Sequence, residues 1–292
     1  MQSHRLLEDD VLRKERRLPT RGDVLVELGD RVEPETVVAR GVVENPDIRE
    51  LKVFSSLGTS PDIVENHMLK TEGDEVKKDE VIAIRRSFFG RSTRVARSPI
   101  DGRMESFSPV TGRAIIRGHP IRMEVKAHIP GEIVEIIEGE GAVVEARAAV
   151  LQGAFGLGGE ATGELVFAVD SADMLLTSEE IKAEHRGKVV VGGSVATVDA
   201  LRAAARNGVS AVIVGGVDQK DLTEFLGYEI GVGVTGGEDF GFTLIITEGF
   251  GVNPIDEARF SLLEKHEGRL ACVDGTTQIR SRIQRPEVVI PL

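Results

Sequence analysis

Glycines follow three successive apolar runs in the second half of the chain, and this spacing is the pattern closest to a chemical site. Gly193 and Ser194 follow the first run, Gly216 follows the second and Gly237 follows the third. Carboxyl ends of parallel strands meet at one edge of a sheet, where free N–H groups at helix starts hold a phosphate or a carboxylate. We therefore predict a composite anion site at these four residues. The alternative is that the glycines serve only the short turns between strands and helices.

A second candidate is a band of positive charge between residues 85 and 126. It contains ten Arg or Lys residues and three acidic residues, in a chain whose formal net charge is −12. Arginines beside Phe88 and Phe89 are suited to binding a nucleic acid, although we favour an acidic protein surface as the partner. The alternative is that the arginines protect exposed strand edges and pair with neighbouring glutamates. The predicted basic contact patch consists of Arg85, Arg86, Arg91, Arg94 and Arg97.

Other reactive side chains form no pattern typical of catalysis. The six histidines lack metal-ligand spacing, so we predict no metal site. The single cysteine, Cys272, stands in an apolar run and is expected in the core, and it allows neither an intrachain disulfide nor a CxxC pair. Glu238 and Asp239 could hold Mg²⁺ or act as a base, but adjacent acids in a loop are ordinarily solvated. We assign no reaction, no catalytic residue and no cofactor.

Length and composition limit the class of protein. A chain of 292 residues that is 41% hydrophobic can form two or three modules, and only 4% aromatic residues predict an aliphatic core. No run approaches the roughly 20 apolar residues of a membrane span, and no signal-peptide pattern is present. The negative charge disfavours nucleic acid and anionic membrane as partners of the whole chain. We expect a cytoplasmic protein.

The first half of the chain has the short alternating runs, separated by Gly and Pro, that are typical of β structure. Three stretches repeat a strand–turn–strand pattern, at 22–40, 67–84 and 129–151. Their turns contain glycine, as in Gly29-Asp30 and Gly73-Asp74, because a tight reversal needs positive φ. Residues 98–117 predict a further strand–turn–strand element.

These stretches carry a resemblance to a known class of domain. LKTEGDEVKKDEVIAI (69–84) and SPIDGRMESF (98–107) are similar to the two halves of biotinyl/lipoyl carrier domains. Together with IPGEIVEIIEGEGAVVE (129–145), they resemble the barrel-sandwich-hybrid domains of carrier proteins, ion-pumping oxidoreductase subunits and efflux adaptors. Carrier domains bear their cofactor on a lysine at the hairpin tip, whereas Arg85, Arg86 and Ser87 stand here. The resemblance therefore implies the shape of a carrier domain without covalent biotin or lipoate.

From residue 170 onwards the period lengthens and predicts a small α/β domain. Strands are expected at 188–191 and 211–214, and helices at 197–206 and 219–226, so that the strands are parallel. Two further strands are expected at 231–234 and 242–246. The last residues return to a β pattern that is weakly similar to an SH3-like barrel.

The expected fold class is therefore α+β and β-rich. We expect an N-terminal arm or amphipathic helix at 1–19, a barrel-sandwich-hybrid domain at 20–169, a small parallel βαβ domain at 170–255 and a β-rich segment at 256–292. The expected function is that of a non-catalytic scaffold or adaptor that acts through protein contacts and self-association, as a homo-oligomer. The first alternative is a phosphorylated small molecule bound at the glycine edge. The second is nucleic-acid binding through the band at 85–126.

Overall fold

The computed structural model describes residues 5–86, 92–228, 240–277 and 285–292. Within these ranges the chain forms 22 strands, four α-helices and two short 3-10 helices. Strands far outnumber helices, and parallel and antiparallel pairs occur together. The prediction of a β-rich α+β fold is confirmed.

Most of these elements are short, and the two longest are strands of 12 residues each. The strands are β1 Leu6–Arg17, β2 Gly22–Val24, β3 Arg31–Val32, β4 Val37–Val43, β5 Ile48–Lys52, β6 Glu75–Val76, β7 Val81–Arg86, β8 Thr93–Arg97, β9 Gly102–Ser108, β10 Arg113–Arg117, β11 Ile121–Lys126, β12 Gly131–Ile137, β13 Gly141–Gln152, β14 Phe155–Leu157, β15 Glu160–Phe167, β16 Leu175–Leu176, β17 Val189–Val191, β18 Val195–Ala196, β19 Ala211–Val217, β20 Thr243–Phe250, β21 Leu270–Asp274 and β22 Glu287–Pro291. The α-helices are α1 Val53–Leu57, α2 Val198–Asn207, α3 Gln219–Leu226 and α4 Glu257–Lys265, and the 3-10 helices are Pro61–His67 and Ala183–His185.

The chain forms two compact units. Unit 1 comprises Met1–Arg17, Asp23–Ala39 and Val125–Leu292, and unit 2 comprises Leu18–Gly22 and Arg40–Glu124. Along the sequence, unit 2 therefore consists of two segments that interrupt unit 1. The domain boundaries expected from the sequence, at 20–169, 170–255 and 256–292, stay a prediction.

The two units contain copies of one strand–turn–strand motif, and equivalent residues differ by 44 in number. In unit 1 the Leu25 N–H donates to the Val38 carbonyl at 2.8 Å, and in unit 2 the Leu69 N–H donates to the Ile82 carbonyl at 2.8 Å. The turns match as well, since Asp30 and Asp74 each accept through a carboxylate oxygen from the N–H three residues earlier. The preceding glycines have φ of +88° and +91°, as the predicted Gly-Asp turn requires.

A hairpin completes each copy of the motif, and here equivalent residues differ by 29. The Ile133 N–H of β12 donates to the Asp30 carbonyl, and the Met104 N–H of β9 donates to the Asp74 carbonyl, both at 2.9 Å. The hairpin β12–β13 of unit 1 thus corresponds to the hairpin β9–β10 of unit 2. The prediction of three equivalent stretches is therefore wrong in one respect. Residues 129–151 are the counterpart of 98–117 and not of 22–40.

The N-terminal segment is a strand, and the prediction of an arm or an amphipathic helix there is wrong. β1 pairs antiparallel with β13 from Leu6 to Arg17. Its inner positions alternate, with Leu12 buried and Lys14 and Arg16 half-buried. The leucine spacing fits a helix locally, but ten residues paired with β13 satisfy the backbone and override that local preference.

The large sheet of unit 1 has the order β14-β20-β19-β17-β15-β21-β22-β13-β12-β3. Strands β17 and β19 are parallel neighbours, as predicted for the strands at 188–191 and 211–214, and β15 and β20 extend the parallel set on either side. Helices cover both faces of the parallel part. One face packs against α2 and α3 through Val190, Val212, Leu244, Leu201 and Leu222, and the other packs against α4 through Val191, Ile213, Ile245, Phe260 and Leu263.

Helices α2 and α3 lie where the sequence predicts helices, and each ends at a glycine as expected. The Thr197 hydroxyl accepts from the Ala200 N–H at 3.2 Å at the start of α2, and Gly208 ends the helix with φ of +68°. Asp218 caps the start of α3, and Gly227 ends that helix. The strand predicted at 231–234 lies outside the described residues.

The glycine-rich segment 153–164 forms β14 and the start of β15. Two other parts of unit 1 differ from expectation. Helix α4, capped by Asp256, stands where a β-rich tail was expected to begin. The tail does not form a barrel of its own within the described residues, because β21 pairs with β15 and β22, and β22 pairs with β13. Its apolar residues are buried by joining the large sheet.

Unit 2 has its own small aliphatic core. The order of its four-stranded sheet is β5-β10-β9-β6, and β7 and β8 form a separate antiparallel pair. Helix α1 and these strands enclose the apolar side chains, among them Leu57, Ile82, Met104 and Ile116, all fully buried. Three strands span the boundaries between the units, namely β2, β4 and β11.

Candidate functional site

Three of the four residues of the predicted anion site lie at the carboxyl ends of β17 and β19. Gly193 lies two residues after the end of β17, and a Cβ added to it would stand 2.0 Å from the Met174 carbonyl oxygen. Gly216 lies within β19, and a Cβ there would stand 2.0 Å from the Gly251 carbonyl oxygen. Both positions need glycine because another stretch of backbone passes directly against them. Gly237 lies outside the described residues.

Ser194 and Gly216 come together, but their polar groups serve the protein itself. The buried Ser194 donates through its N–H to the Met174 carbonyl at 2.7 Å and through Oγ to the Asp173 carbonyl at 2.9 Å. The next residue, Val195, pairs with Gly216 in the ladder of β18 and β19. Close backbone packing thus accounts for these residues without a ligand, and the anion site stays a prediction.

Replacing Gly193 tests this packing directly. Because the added methyl group would overlap a backbone carbonyl, we expect Gly193→Ala to lower the free energy of unfolding by about 2 kcal/mol. Gly159→Ala is the control, since a Cβ at Gly159 meets nothing within 4 Å. Urea denaturation of both variants measures the difference. Equal stability of the two variants would show that the backbone at Met174 is not held against Gly193.

The predicted basic patch lies in unit 2, where two of its arginines bind backbone carbonyls and a third lies against the backbone of Gly58. Arg85 donates to the carbonyls of Leu57 and Gly58 at the carboxyl end of α1. Arg94, the direct cross-strand neighbour of Arg85, has its guanidinium against the same Gly58. Arg97 donates to the Asp79 carbonyl at 2.7 Å. Arg86 is exposed at the end of β7, and Arg91 lies outside the described residues.

Several other basic residues of the band at 85–126 form ion pairs, as the alternative interpretation of the band expects. Arg113 pairs with Glu50, and Arg117 pairs with Glu105 at 2.6 Å. Several basic side chains of the band are therefore already paired with acidic side chains of the protein itself. The pairing of Arg85 opposite Arg94 is tolerable because helix-end carbonyls carry partial negative charge.

A cluster of charged residues that sequence reasoning missed lies inside unit 1. Glu160 on β15, Asp274 on β21 and Glu287 on β22 are direct neighbours across three adjacent strands. Like charges directly opposite one another destabilise a sheet, so this row of carboxylates needs cations. β1 supplies them through Lys14 and Arg16.

The two cations of β1 reach strands that are not its neighbours in the sheet. Arg16 binds Glu160 with both terminal nitrogens, Nη1 to Oε1 at 2.5 Å and Nη2 to Oε2 at 2.7 Å, and its Nε donates to the Lys126 carbonyl at 2.6 Å. Lys14 pairs with Glu287, and both side chains are only 16% exposed. Burial lowers the pKa of Lys14, although Asp274 acts to raise it. The sheet therefore curls so that β1 closes over the row of carboxylates.

His128 lies at the centre of this cluster. Its side chain is 3% exposed, its φ is +67°, and its Nδ1 is 3.8 Å from Glu160 Oε2. Its Nε2 is buried without a hydrogen-bond partner in the described part of the chain. Burial lowers the pKa of His128 to about 4, against an opposing effect of Glu160. The imidazole is therefore neutral at pH 7.

Glu160 connects the cluster to a cavity of about 500 Å³ in unit 1. The cavity lies among three segments, 158–161 at the start of β15, 208–210 before β19 and 241–243 at the start of β20. Four of the ten lining residues are glycines, and the hydroxyls come from Ser210 and Thr243. This is the amino end of the parallel strands, opposite the edge where the anion site was predicted.

No single signal in the sequence indicates this cluster. Lys14, Glu160 and Glu287 each stand in charged, alternating segments where a solvated side chain is the ordinary interpretation. The one usable pattern is that Lys14 and Arg16 share a face of a strand with Leu12. That pattern becomes visible only when the segment is taken as β structure.

Cys272 lies beside the cluster and is fully buried on β21. Burial raises the pKa of the Cys272 thiol to about 12, so it is a core residue as predicted and not a nucleophile at neutral pH. In the ranges that the structure describes, no group of three or more His, Cys, Asp or Glu side chains is arranged to hold a metal ion. Nor does any described helix have the length and apolar character to cross a membrane.

Comparison of the chain with protein-family models, with curated proteins and with solved structures finds no significant match.

Proposed function

We propose that the chain is a non-catalytic scaffold or adaptor that acts through protein contacts and self-association. The observation that carries this proposal is the duplicated motif with an exposed leucine at the same position of each copy. Leu25 is 48% exposed in unit 1 and its equivalent, Leu69, is 56% exposed in unit 2.

The two leucines are held in place by the backbone. Each donates its N–H to the partner strand of its own motif, at 2.8 Å in both copies. A single exposed leucine is ordinary on a protein surface. The same apolar residue presented twice, at one position of a repeated rigid motif, favours contact with another protein.

A second copy of this chain is the occupant that we propose for these positions. Each chain then has two equivalent contact points, and engaging both adds avidity without new contacts. The arginines at residues 85 and 97 donate to backbone carbonyls of unit 2, which disfavours nucleic acid as the partner of the basic patch. Arg86 remains exposed and is available to an acidic protein surface.

The finer fold assignment and the location belong to the same proposal. Each copy of the motif has a strand, a Gly-Asp turn, a second strand and a hairpin, in the arrangement that the resemblance to barrel-sandwich-hybrid domains implies. We propose that both copies derive from such a domain and serve as docking modules rather than as carriers. A cytoplasmic location accords with the single reduced Cys272.

Substituting both leucines tests the proposal. We expect Leu25→Ser with Leu69→Ser to weaken self-association by at least about tenfold, because apolar area buried between the chains is lost. The matched control is Val252→Ser, which removes a side chain that is 69% exposed outside the motif. Sedimentation velocity over a range of concentrations provides the measurement. An unchanged association constant in the double variant would overturn this assignment of the contact.

A further inference from the structure

The cavity bordered by Glu160 has the dimensions of a small-molecule site. Its volume of about 500 Å³ lies within the range of roughly 300–1,000 Å³ that such sites occupy. Among its described lining residues, Glu160 is the only one with an ionisable side chain. Gly158, Gly159, Gly208 and Gly241 expose backbone to the cavity, so a polar ligand can approach closely.

The Glu160 carboxylate is fixed before any ligand arrives. Arg16 holds both of its oxygens, and the Arg16 Nε is occupied by the Lys126 carbonyl. A carboxylate offers about four acceptor positions, so capacity remains after two bonds from Arg16. The Glu160 side chain is 34% exposed, whereas that of Arg16 is 13% exposed. The carboxylate is therefore the more accessible partner of this ion pair.

A second feature marks this place as built for more than packing. His128 is buried behind Glu160 in a left-handed backbone conformation, with Nε2 lacking a partner in the described part of the chain. Burying an unsatisfied polar group is unfavourable, and so is a left-handed backbone at a non-glycine residue. Such costs persist where a structure is organised around a function. Here both unfavourable features belong to His128, which lies beside the Glu160 carboxylate.

We propose that this cavity binds a small ligand that carries an ammonium group and hydroxyl groups, with the ammonium donating to Glu160. The Ser210 hydroxyl, which lines the cavity, is placed to meet a ligand hydroxyl. A phosphate or carboxylate ligand is disfavoured, because it would face the Glu160 carboxylate. Arg16 is the positioning residue that fixes the orientation of Glu160. This site is separate from the leucine positions proposed for self-association.

Glucosamine, glucose and glucose 6-phosphate distinguish the ligand classes, because they share one ring and differ in charge. We expect glucosamine to cause saturable NMR shifts of the amides at 158–161 and 208–210 in the full chain. Glucose is expected to bind at least about tenfold more weakly, and glucose 6-phosphate not at all below about 50 mM. Equal or tighter binding of glucose or glucose 6-phosphate would overturn the ammonium assignment. The absence of saturable shifts with all three would overturn the site.

Two variants locate the binding. Gly159→Leu places a side chain into open space within the cavity and is expected to abolish glucosamine binding without loss of stability. Glu160→Gln is expected to weaken glucosamine binding at least about tenfold while leaving glucose binding unchanged. Should Glu160→Gln fail to fold, Gly159→Leu still decides the question. Glucosamine binding that survives in Gly159→Leu contradicts the proposed location.

Discussion

Acidification from pH 7 to pH 4 is expected to lower the free energy of unfolding by about 3 kcal/mol through His128 alone. Burial lowers the pKa of His128 to about 4, whereas an unfolded chain titrates near the ordinary value of 6.5. Between these values the unfolded chain binds a proton that the folded chain does not bind. Stability is therefore complete above pH 6.5 and is lost as the pH falls through the window from 6.5 to 4.

His128→Asn isolates this contribution, because asparagine tolerates the positive φ at this position. The difference in unfolding free energy between the unaltered chain and the variant, from urea denaturation at several pH values, should fall steadily below pH 6.5. Burial also lowers the pKa of His185 and His266, but both remain in the variant and cancel in the difference. His119→Asn, at a side chain that is 53% exposed, is the control. A difference that is constant with pH would contradict the buried neutral state of His128.

Removal of Lys14 is expected to have an effect of similar size. Lys14→Met leaves Glu287 buried beside Asp274 without its cation, and breaking a buried ion pair by removing one partner costs about 3–5 kcal/mol. Since both side chains retain some exposure, we expect a loss of about 3 kcal/mol at pH 7. The measurement is urea denaturation followed by circular dichroism.

Lys265→Met is the matched control, because Lys265 also joins β1, through Glu8, in a pair whose side chains are 60% and 74% exposed. This surface pair is expected to contribute less than about 1 kcal/mol. A double variant, Lys14→Met with Glu287→Gln, should recover part of the lost stability, since the Glu287 charge is then removed together with its cation while Asp274 remains. Equal losses for the Lys14 and Lys265 variants would show that β1 does not close over the row of carboxylates.

Local patterns carried the predictions that the structure confirms. The α2 helix begins after Thr197 and ends at Gly208 because capping and left-handed termination depend only on neighbouring residues. The Gly-Asp turns at residues 29–30 and 73–74 are likewise local, and their positive φ follows from the residue types. The parallel strands follow from the alternation of strand and helix along the chain.

Pairing between distant segments could not be predicted in the same way. β1 has a helix-compatible spacing of leucines, and only its pairing with β13, more than a hundred residues later, makes it a strand. The hairpin that completes the first motif lies far along the chain from the Gly29-Asp30 turn, because unit 2 intervenes. That separation conceals the equivalence of 129–151 and 98–117.

The candidate site was beyond prediction for the same physical reason. Its charges come from β1, β15, β21 and β22, and each is an ordinary surface residue in its own segment. Only the curled sheet brings Lys14 to Glu287 and Arg16 to Glu160. The glycines at residues 193 and 216 illustrate the opposite case. The sequence singled them out as a possible ligand site. In the structure, close packing of neighbouring backbone already explains why glycine is needed at both positions.

Native mass spectrometry of the full chain, purified without denaturation, tests self-association most directly. We predict a defined homo-oligomer whose subunits have the unmodified chain mass, and whose population falls on dilution. A protein that stays monomeric at every concentration would contradict the scaffold proposal. A monomer carrying a non-covalent mass of a few hundred daltons would leave the ligand cavity of unit 1 as the better explanation of what this protein does.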